Sequence, residues 1–211
     1  MRITKEKTAS FDVDAQKTFT PLCPNELPVA GGEEIVDELN QQAAYARLRI
    51  GSKDAHSPQA IWVANELHPC LSPLKGENVD VHWNLHAVPG TTGFELLDGL
   101  PRPKDYNYFV WKGIELDMHP YGACYHDFAE QLSTGVIDYL QVNNIDTVIV
   151  GGLALDYCVK KTILQLRHSD FTVILNLAAT RGIAKASIDA TLEEMRQHHV
   201  LLIESASELS L

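Results

Sequence analysis

No apolar run in this chain is long enough to cross a bilayer, so an integral membrane protein is not expected. Positive charge is scarce: 17 Lys and Arg stand against 28 Asp and Glu, a formal charge of −11. That balance argues against nucleic acid or an anionic membrane as a partner, because phosphates demand basic patches; the charge reads as solubility. Cysteine is sparse too. The four thiols (Cys23, Cys70, Cys124, Cys158) are irregularly spaced, with no CxxC pair and no disulfide framework. The opening residues, MRITKEKTAS, are charged and lack the apolar core of a secretory leader. These absences together point to a reducing cytoplasm. Also missing are an internal repeat, a low-complexity tract and an obvious linker, so one domain spanning residues 1–211 is expected.

What is present is ordinary globular composition, 45% hydrophobic and 21% charged, organised in alternation. Strand-like apolar runs fall at Ala9–Val13, Ala44–Ile50, Tyr106–Trp111, Thr147–Val150, Phe171–Leu175 and Val200–Ile203. Helix-like segments fall at Glu33–Ala43, Asp127–Asn143, Tyr157–Ser169 and Ser187–His198. The second carries Phe128, Leu132, Val136 and Leu140 at i+4 spacing despite Gly135; the last has Ser187 as its expected N-cap. Strands alternating with helices predict a three-layer α/β/α fold around a mainly parallel sheet of about six strands. Between residues 54 and 105 there is no regular pattern, only proline, glycine, histidine and tryptophan. A loop that long inside a compact domain is usually functional.

The most informative segment is VIVGGLALDYCVKK, Val148–Lys161. Its β-branched run without alternation suits a strand covered on both faces, broken by Gly151 and Gly152. A helix then begins, with Val159, Thr162, Ile163 and Leu166 on one face and Asp156 placed to cap its first turn. Cys158 lies at that helix start, where free N–H groups and the dipole favour a thiolate and are able to stabilise an oxyanion. The alternative for Cys158 is a small buried core residue.

In open α/β sheets ligands bind beyond the carboxyl ends of the strands. Asp14 ends the first predicted strand, Asp54 follows the second, Lys112 ends the third and Cys158 follows the fourth. Cysteine, aspartate and lysine brought to one crevice make a covalent amidase. The thiolate attacks a carboxamide, the carboxylate carries the proton to departing ammonia, and the lysine lowers the thiol pKa. Judged singly, Lys112 reads equally well as a surface cation and Asp14 as a turn cap. Asp54-Ala-His56 sets a carboxylate and an imidazole two residues apart on an extended segment, on one side of it, as two ligands of one metal require. His86 is a further candidate ligand from the loop, which also holds His68 and His82; otherwise these histidines merely line it. Trp83 and Phe19 are candidate stacking surfaces for a flat ring, with a core role as the alternative for Phe19.

From about Phe11 to Ala184 the chain resembles the nicotinamidase/pyrazinamidase branch of the isochorismatase-like cysteine hydrolases. GLALDYCVKKT is similar to that family's nucleophile motif, with ATRGIA downstream; DVDAQKTF is similar to its DVQNDF, and WKG, KDAHSP, WNLHAVPGTTGFEL and YGAC match further elements. The resemblance implies Asp14, Lys112 and Cys158 as the catalytic set. It implies oxyanion donors at the N–H groups of Ala154 and Cys158, with a cis peptide before Ala154. Phe19, Trp83 and Tyr121 then contact the substrate. Asp54, His56 and His86 hold one divalent metal ion, zinc first, with iron and manganese as alternatives. The implied substrate is a small amide, nicotinamide, and such folds commonly form homo-oligomers. The chain departs from the family at Ala60, where many relatives carry a histidine, so Glu66 or His68, and less so His82, are the expected additional ligands. It departs again at Thr18, where the family has an acidic residue, and at YGAC in place of YSAF. Rival readings are another amide or carbamoyl hydrolase of the superfamily and, further off, a non-catalytic ligand binder.

Overall fold

Val148, Ile149 and Val150 are fully buried because their strand lies inside a sheet covered on both faces. The computed structural model describes residues 1–211. Its strands are β1 (Thr8–Val13), β2 (Leu48–Asp54), β3 (Tyr108–Lys112), β4 (Thr147–Leu153), β5 (Thr172–Arg181) and β6 (Leu201–Ile203). They form one six-stranded sheet in the order β3-β2-β1-β4-β5-β6, every neighbouring pair parallel. The helices are α1 (Val36–Ala44), α2 (Val136–Val142), α3 (Lys160–His168) and α4 (Lys185–Gln197).

Strand alternation sorts the core. Phe11, Val13, Val148, Val150, Val173 and Leu175 pack with Leu140 of α2, Ile163 and Leu166 of α3 and Met195 of α4. Ile149 and Ile174 point to the opposite face, where Leu39 of α1 packs with Leu153 and Ala179. The result is the expected three-layer α/β/α arrangement. From β1 the chain builds outward to β3, then returns to the other side of β1 to lay down β4. That reversal opens a crevice between the carboxyl ends of β1 and β4. No helix is long and apolar enough to cross a membrane.

Several boundaries differ from those the sequence suggests. The expected helix Asp127–Asn143 is helical only from Val136. Gly135 before it is left-handed (φ +84°), and Asp127 accepts hydrogen bonds from the N–H groups of Gln131 and Leu132, closing a turn instead. The expected strand Ala44–Ile50 begins at Leu48, because Ala44 ends α1, and it runs on through Gly51 to Asp54. Gly51 is no turn residue: a Cβ there would lie 2.5 Å from the Phe109 ring, so the strand needs glycine for close packing. The strands expected at Thr147–Val150 and Phe171–Leu175 likewise run on, to Leu153 and Arg181. Ser187 is not the cap of α4, whose N-cap is Ala184. The carboxylate of Asp156 takes that part. It accepts from the N–H groups of Ile183 (3.0 Å) and Ala184 (3.3 Å) and from Ser187 Oγ (2.5 Å). Asp156 therefore caps α4 and not the helix that follows it in sequence.

Candidate active site

Parallel register brings the charged residues together. Asp54 and Lys112 are direct register partners at the ends of β2 and β3, and their side chains form a buried ion pair. Asp14, one residue beyond β1, takes a left-handed backbone (φ 43°) that aspartate tolerates better than most residues. Ser52 of β2 fixes it, accepting from the Asp14 N–H at 3.2 Å and donating to Asp14 Oδ1 at 2.7 Å. Lys112 Nζ then lies 3.1 Å from Asp14 Oδ2, donates to the Pro120 carbonyl at 3.0 Å, and stands 3.8 Å from Cys158 Sγ. Asp14 and Lys112 are completely shielded from solvent and Cys158 nearly so. The lysine sits among three acidic groups, and an Asp14 oxygen, an Asp54 oxygen and Cys158 Sγ lie within 4.8 Å of one another.

The nucleophile turn is a π-helical turn, Leu155–Val159, entered from Ala154 through a cis Leu153–Ala154 peptide and continuing into α3. Gly152 makes it possible: at φ +126° a Cβ would lie 1.9 Å from the Val13 carbonyl oxygen, so only glycine lets β4 pass β1 here.

Burial dominates the electrostatics. It pushes the Cys158 thiol well above its ordinary range; Lys112 works against this, while Asp14 and Asp54 add to it. The helix start and the lysine therefore do not suffice for a resting thiolate, contrary to the sequence expectation. Burial likewise raises Asp14 to about 6, opposed by Lys112 and assisted by Asp54. Burial alone would neutralise Lys112, but Asp14 and Asp54 outweigh it and hold the ammonium well above its ordinary value. For Asp54, Lys112 and His56 outweigh burial and keep the carboxylate ionised.

Beside this cluster three buried imidazoles converge: ligand-capable nitrogens of His56, His86 and His119 lie within 4.8 Å of one another. The His56 Nδ1 is 2.8 Å from the Gly113 carbonyl and the His86 Nδ1 is 2.7 Å from the Asn84 carbonyl. A carbonyl only accepts, so both Nδ1 atoms carry the proton and both Nε2 atoms present lone pairs inward. Those Nε2 atoms are 3.5 and 3.9 Å from the two carboxylate oxygens of Asp54. Buried His56 Nε2 and both ring nitrogens of His119 have no hydrogen-bond partner. Lone pairs facing each other beside a carboxylate, with outer nitrogens pinned by carbonyls, are the donor set a divalent cation fits. Gly113 (φ +72°) belongs to this geometry, since a Cβ there would lie 2.3 Å from the His56 ring.

The two clusters share a cavity of about 310 Å³ lined by Phe19, Leu27, Trp83, Tyr121, Tyr157 and Ile183, with Ala154, Cys158, Asp54, His86 and His119 also on its wall. Trp83 Nε1 donates to the Tyr121 hydroxyl (3.1 Å), which donates to Asp80 (2.8 Å), and Tyr157 packs edge-on against Trp83. The pocket is apolar and aromatic at its mouth and charged at its floor, as a site for a flat polar ring should be.

Glu66 and His68 are not brought in. Both are exposed, and His68 stacks on His82, whose Nδ1 lies by Ser72. His119 was missed from sequence, as were the pocket residues Leu27, Tyr157 and Ile183. The acid missing at Thr18 is supplied in space by Glu26, whose Oε2 accepts from Thr18 Oγ1 and from the Ala87 N–H next to His86.

A doubly wound α/β sheet with a buried Asp–Lys–Cys cluster at the reversal of strand order is the class these observations define. The family model described as "Isochorismatase domain" matches residues 8–207, and the chain belongs to that family. It is 28% identical over 202 residues to a nicotinamidase of Acinetobacter baylyi, covering 93% of this chain and 92% of that one. With a nicotinamidase of Saccharomyces cerevisiae it shares 28% identity over 212 residues, covering 91% and 97%. Among solved structures, the Acinetobacter baumanii nicotinamidase/pyrazinamidase superposes with TM-score 0.87 at 26% identity, covering 96% of this chain and 98% of that one. The yeast nicotinamidase Pnc1p bound to the inhibitor nicotinaldehyde superposes with TM-score 0.82 at 25% identity, covering 94% and 100%.

Proposed function

We propose that this chain is a metal-dependent nicotinamidase of the cytoplasm, hydrolysing nicotinamide to nicotinate and ammonia through a thioester on Cys158. The observation that carries the reading is the burial of Asp14, Lys112 and Cys158 together at the floor of an aromatic pocket. Similarity to nicotinamidases along more than nine-tenths of the chain supports it.

Asp54, His56 and His86 would hold a divalent ion, zinc first by its donor set and iron or manganese next, which supplies a Lewis-acidic position for a ring nitrogen. Phe19 and Trp83 flank the ring, and Tyr121 braces Trp83. Because burial keeps the thiol protonated, Cys158 needs a base, and Asp14, raised to about 6, is matched to that work near neutral pH. Asp14 takes the thiol proton as sulfur attacks the carboxamide carbon. Lys112 stabilises the charge passing between them, and the N–H groups of Ala154 and Cys158 receive the developing oxyanion. Asp14 returns the proton to nitrogen as the C–N bond breaks and ammonia departs. It then takes a proton from the water that adds to the thioester, releasing nicotinate and restoring the thiol.

Ammonia release from nicotinamide by purified protein, before and after chelation and with metal added back, tests the reading. Activity lost to chelator and restored by metal is expected. No ammonia from fully metallated protein would overturn it and direct attention to other amides and carbamoyl compounds.

A further inference from the structure

We propose that His119 is a ligand of the metal centre, so that the ion is held by three imidazoles and one carboxylate: His56, His86, His119 and Asp54. This rests on the metal-dependent reading above and extends its donor set to a residue that no spacing in the sequence suggests.

The argument begins with unpaired polar atoms. His119 is buried, and neither of its ring nitrogens has a hydrogen-bond partner. One nitrogen of any neutral imidazole is a donor and the other an acceptor, so leaving both unpaired in the interior is costly. The ring is held by packing. It stacks nearly parallel to His56, with centroids 5.0 Å apart, and lies edge-on to Trp62 at 4.5 Å. Its segment is pinned on both sides: Trp62 Nε1 donates to the Met118 carbonyl (3.0 Å) and Lys112 Nζ to that of Pro120. A structure that fixes both neighbours of a histidine and leaves its nitrogens bare, within 4.8 Å of two other bare imidazole nitrogens, has prepared it to bind something electron-poor. Burial and the neighbouring imidazoles both disfavour a proton there, so a divalent cation is the occupant that satisfies all three rings.

Four protein donors exceed the three that a catalytic zinc usually takes, so substrate would join as a fifth ligand. His119 also lines the substrate cavity, parallel to Trp83 with centroids 6.0 Å apart. It thus stands where metal and ring meet.

X-ray absorption at the zinc edge of the zinc-loaded protein counts its imidazoles, and three are expected; two would overturn the proposal. Competition against a chromophoric chelator then measures zinc affinity in His119→Phe, which keeps a ring against Trp62 and removes both nitrogens. A loss of at least about tenfold is expected. His56→Phe should lose at least as much, and His82→Phe, whose ring lies with His68 and Ser72, should keep the parent affinity. Parent affinity in His119→Phe with weakened binding in His56→Phe would remove His119 from the site and leave the metal reading standing. A parent that retains no zinc in the competition would remove both. If His119→Phe does not fold, the imidazole count on the parent decides.

Discussion

The two halves of the site are built on opposite principles. Asp14, Lys112 and Cys158 sit on or just beyond neighbouring parallel strands, and their mutual distances follow from strand register. Each charge there has its partner already: the ammonium meets two carboxylates, a carbonyl and a thiol. The imidazole half is carried by chain outside the sheet. His56 lies two residues past β2, His86 in the long loop and His119 between β3 and α2. It leaves nitrogens bare and is held by packing against Trp62 and by carbonyls at the outer edge. The comparison teaches that the hydrolytic half is complete as folded, whereas the half that orients a ring awaits a cation. Damage to the first should abolish chemistry, and damage to the second should weaken binding.

The sharpest break is at sulfur. Cys158→Ala should lower turnover to about a thousandth of the parent rate or less while zinc affinity and the folded spectrum stay unchanged; measurable parent-like ammonia release would sink the thioester route. Next comes Lys112→Met, which strands Asp14 and Asp54 as buried unpaired carboxylates and should cost about 3–5 kcal/mol in denaturant unfolding at pH 7.5. The sign with pH is fixed: Asp14 already has a folded pKa above its unfolded value, and losing Lys112 raises it further. Protonation at low pH thus favours the folded form, and the deficit should shrink on going to pH 5. A deficit that grows on acidification would contradict the ion-pair account. In the parent enzyme, kcat/KM should fall as pH drops through about 6, because Asp14 must be ionised to accept the thiol proton. A limb near the ordinary aspartate value of about 4 would show that burial does not tune this base. Smallest is Asp156→Ala, which removes the cap of α4 and should cost about 1 kcal/mol, read as a lower Tm with only a modest loss of turnover.

This division also explains what could be read in the sequence. The strand-end residues were legible because apolar runs mark strands and the residue after each run marks the crevice. Asp14, Asp54, Lys112 and Cys158 needed no knowledge of distant contacts. His119 was not legible: no periodicity governs the segment from Gly113 to Gly135, and its place depends on Trp62 and Lys112 reaching its neighbours' carbonyls. Glu66 and His68 were expected because they are close in sequence to His56, yet in an irregular loop nearness along the chain implies no nearness in space. The helix over residues 127–143 was overextended because Phe128 and Leu132 happen to fall at helical spacing. Phe128 stacks on Tyr121 instead, and Leu132 is half exposed.

One quiet contact governs the charged floor. Parallel strands satisfy their hydrogen bonds equally well after sliding by two residues, and such a slide keeps every side chain on its own face. What stops β3 from sliding along β2 is a notch and a key. The Phe109 ring lies over Gly51, its register partner, and a two-residue shift would bring Arg49 or Lys53 beneath it. The same shift would set Lys112 against Ser52 or beyond the end of β2. An absent methyl group and a benzene ring, neither charged nor near any substrate, thereby index the ammonium against Asp54 like the detent of a lock.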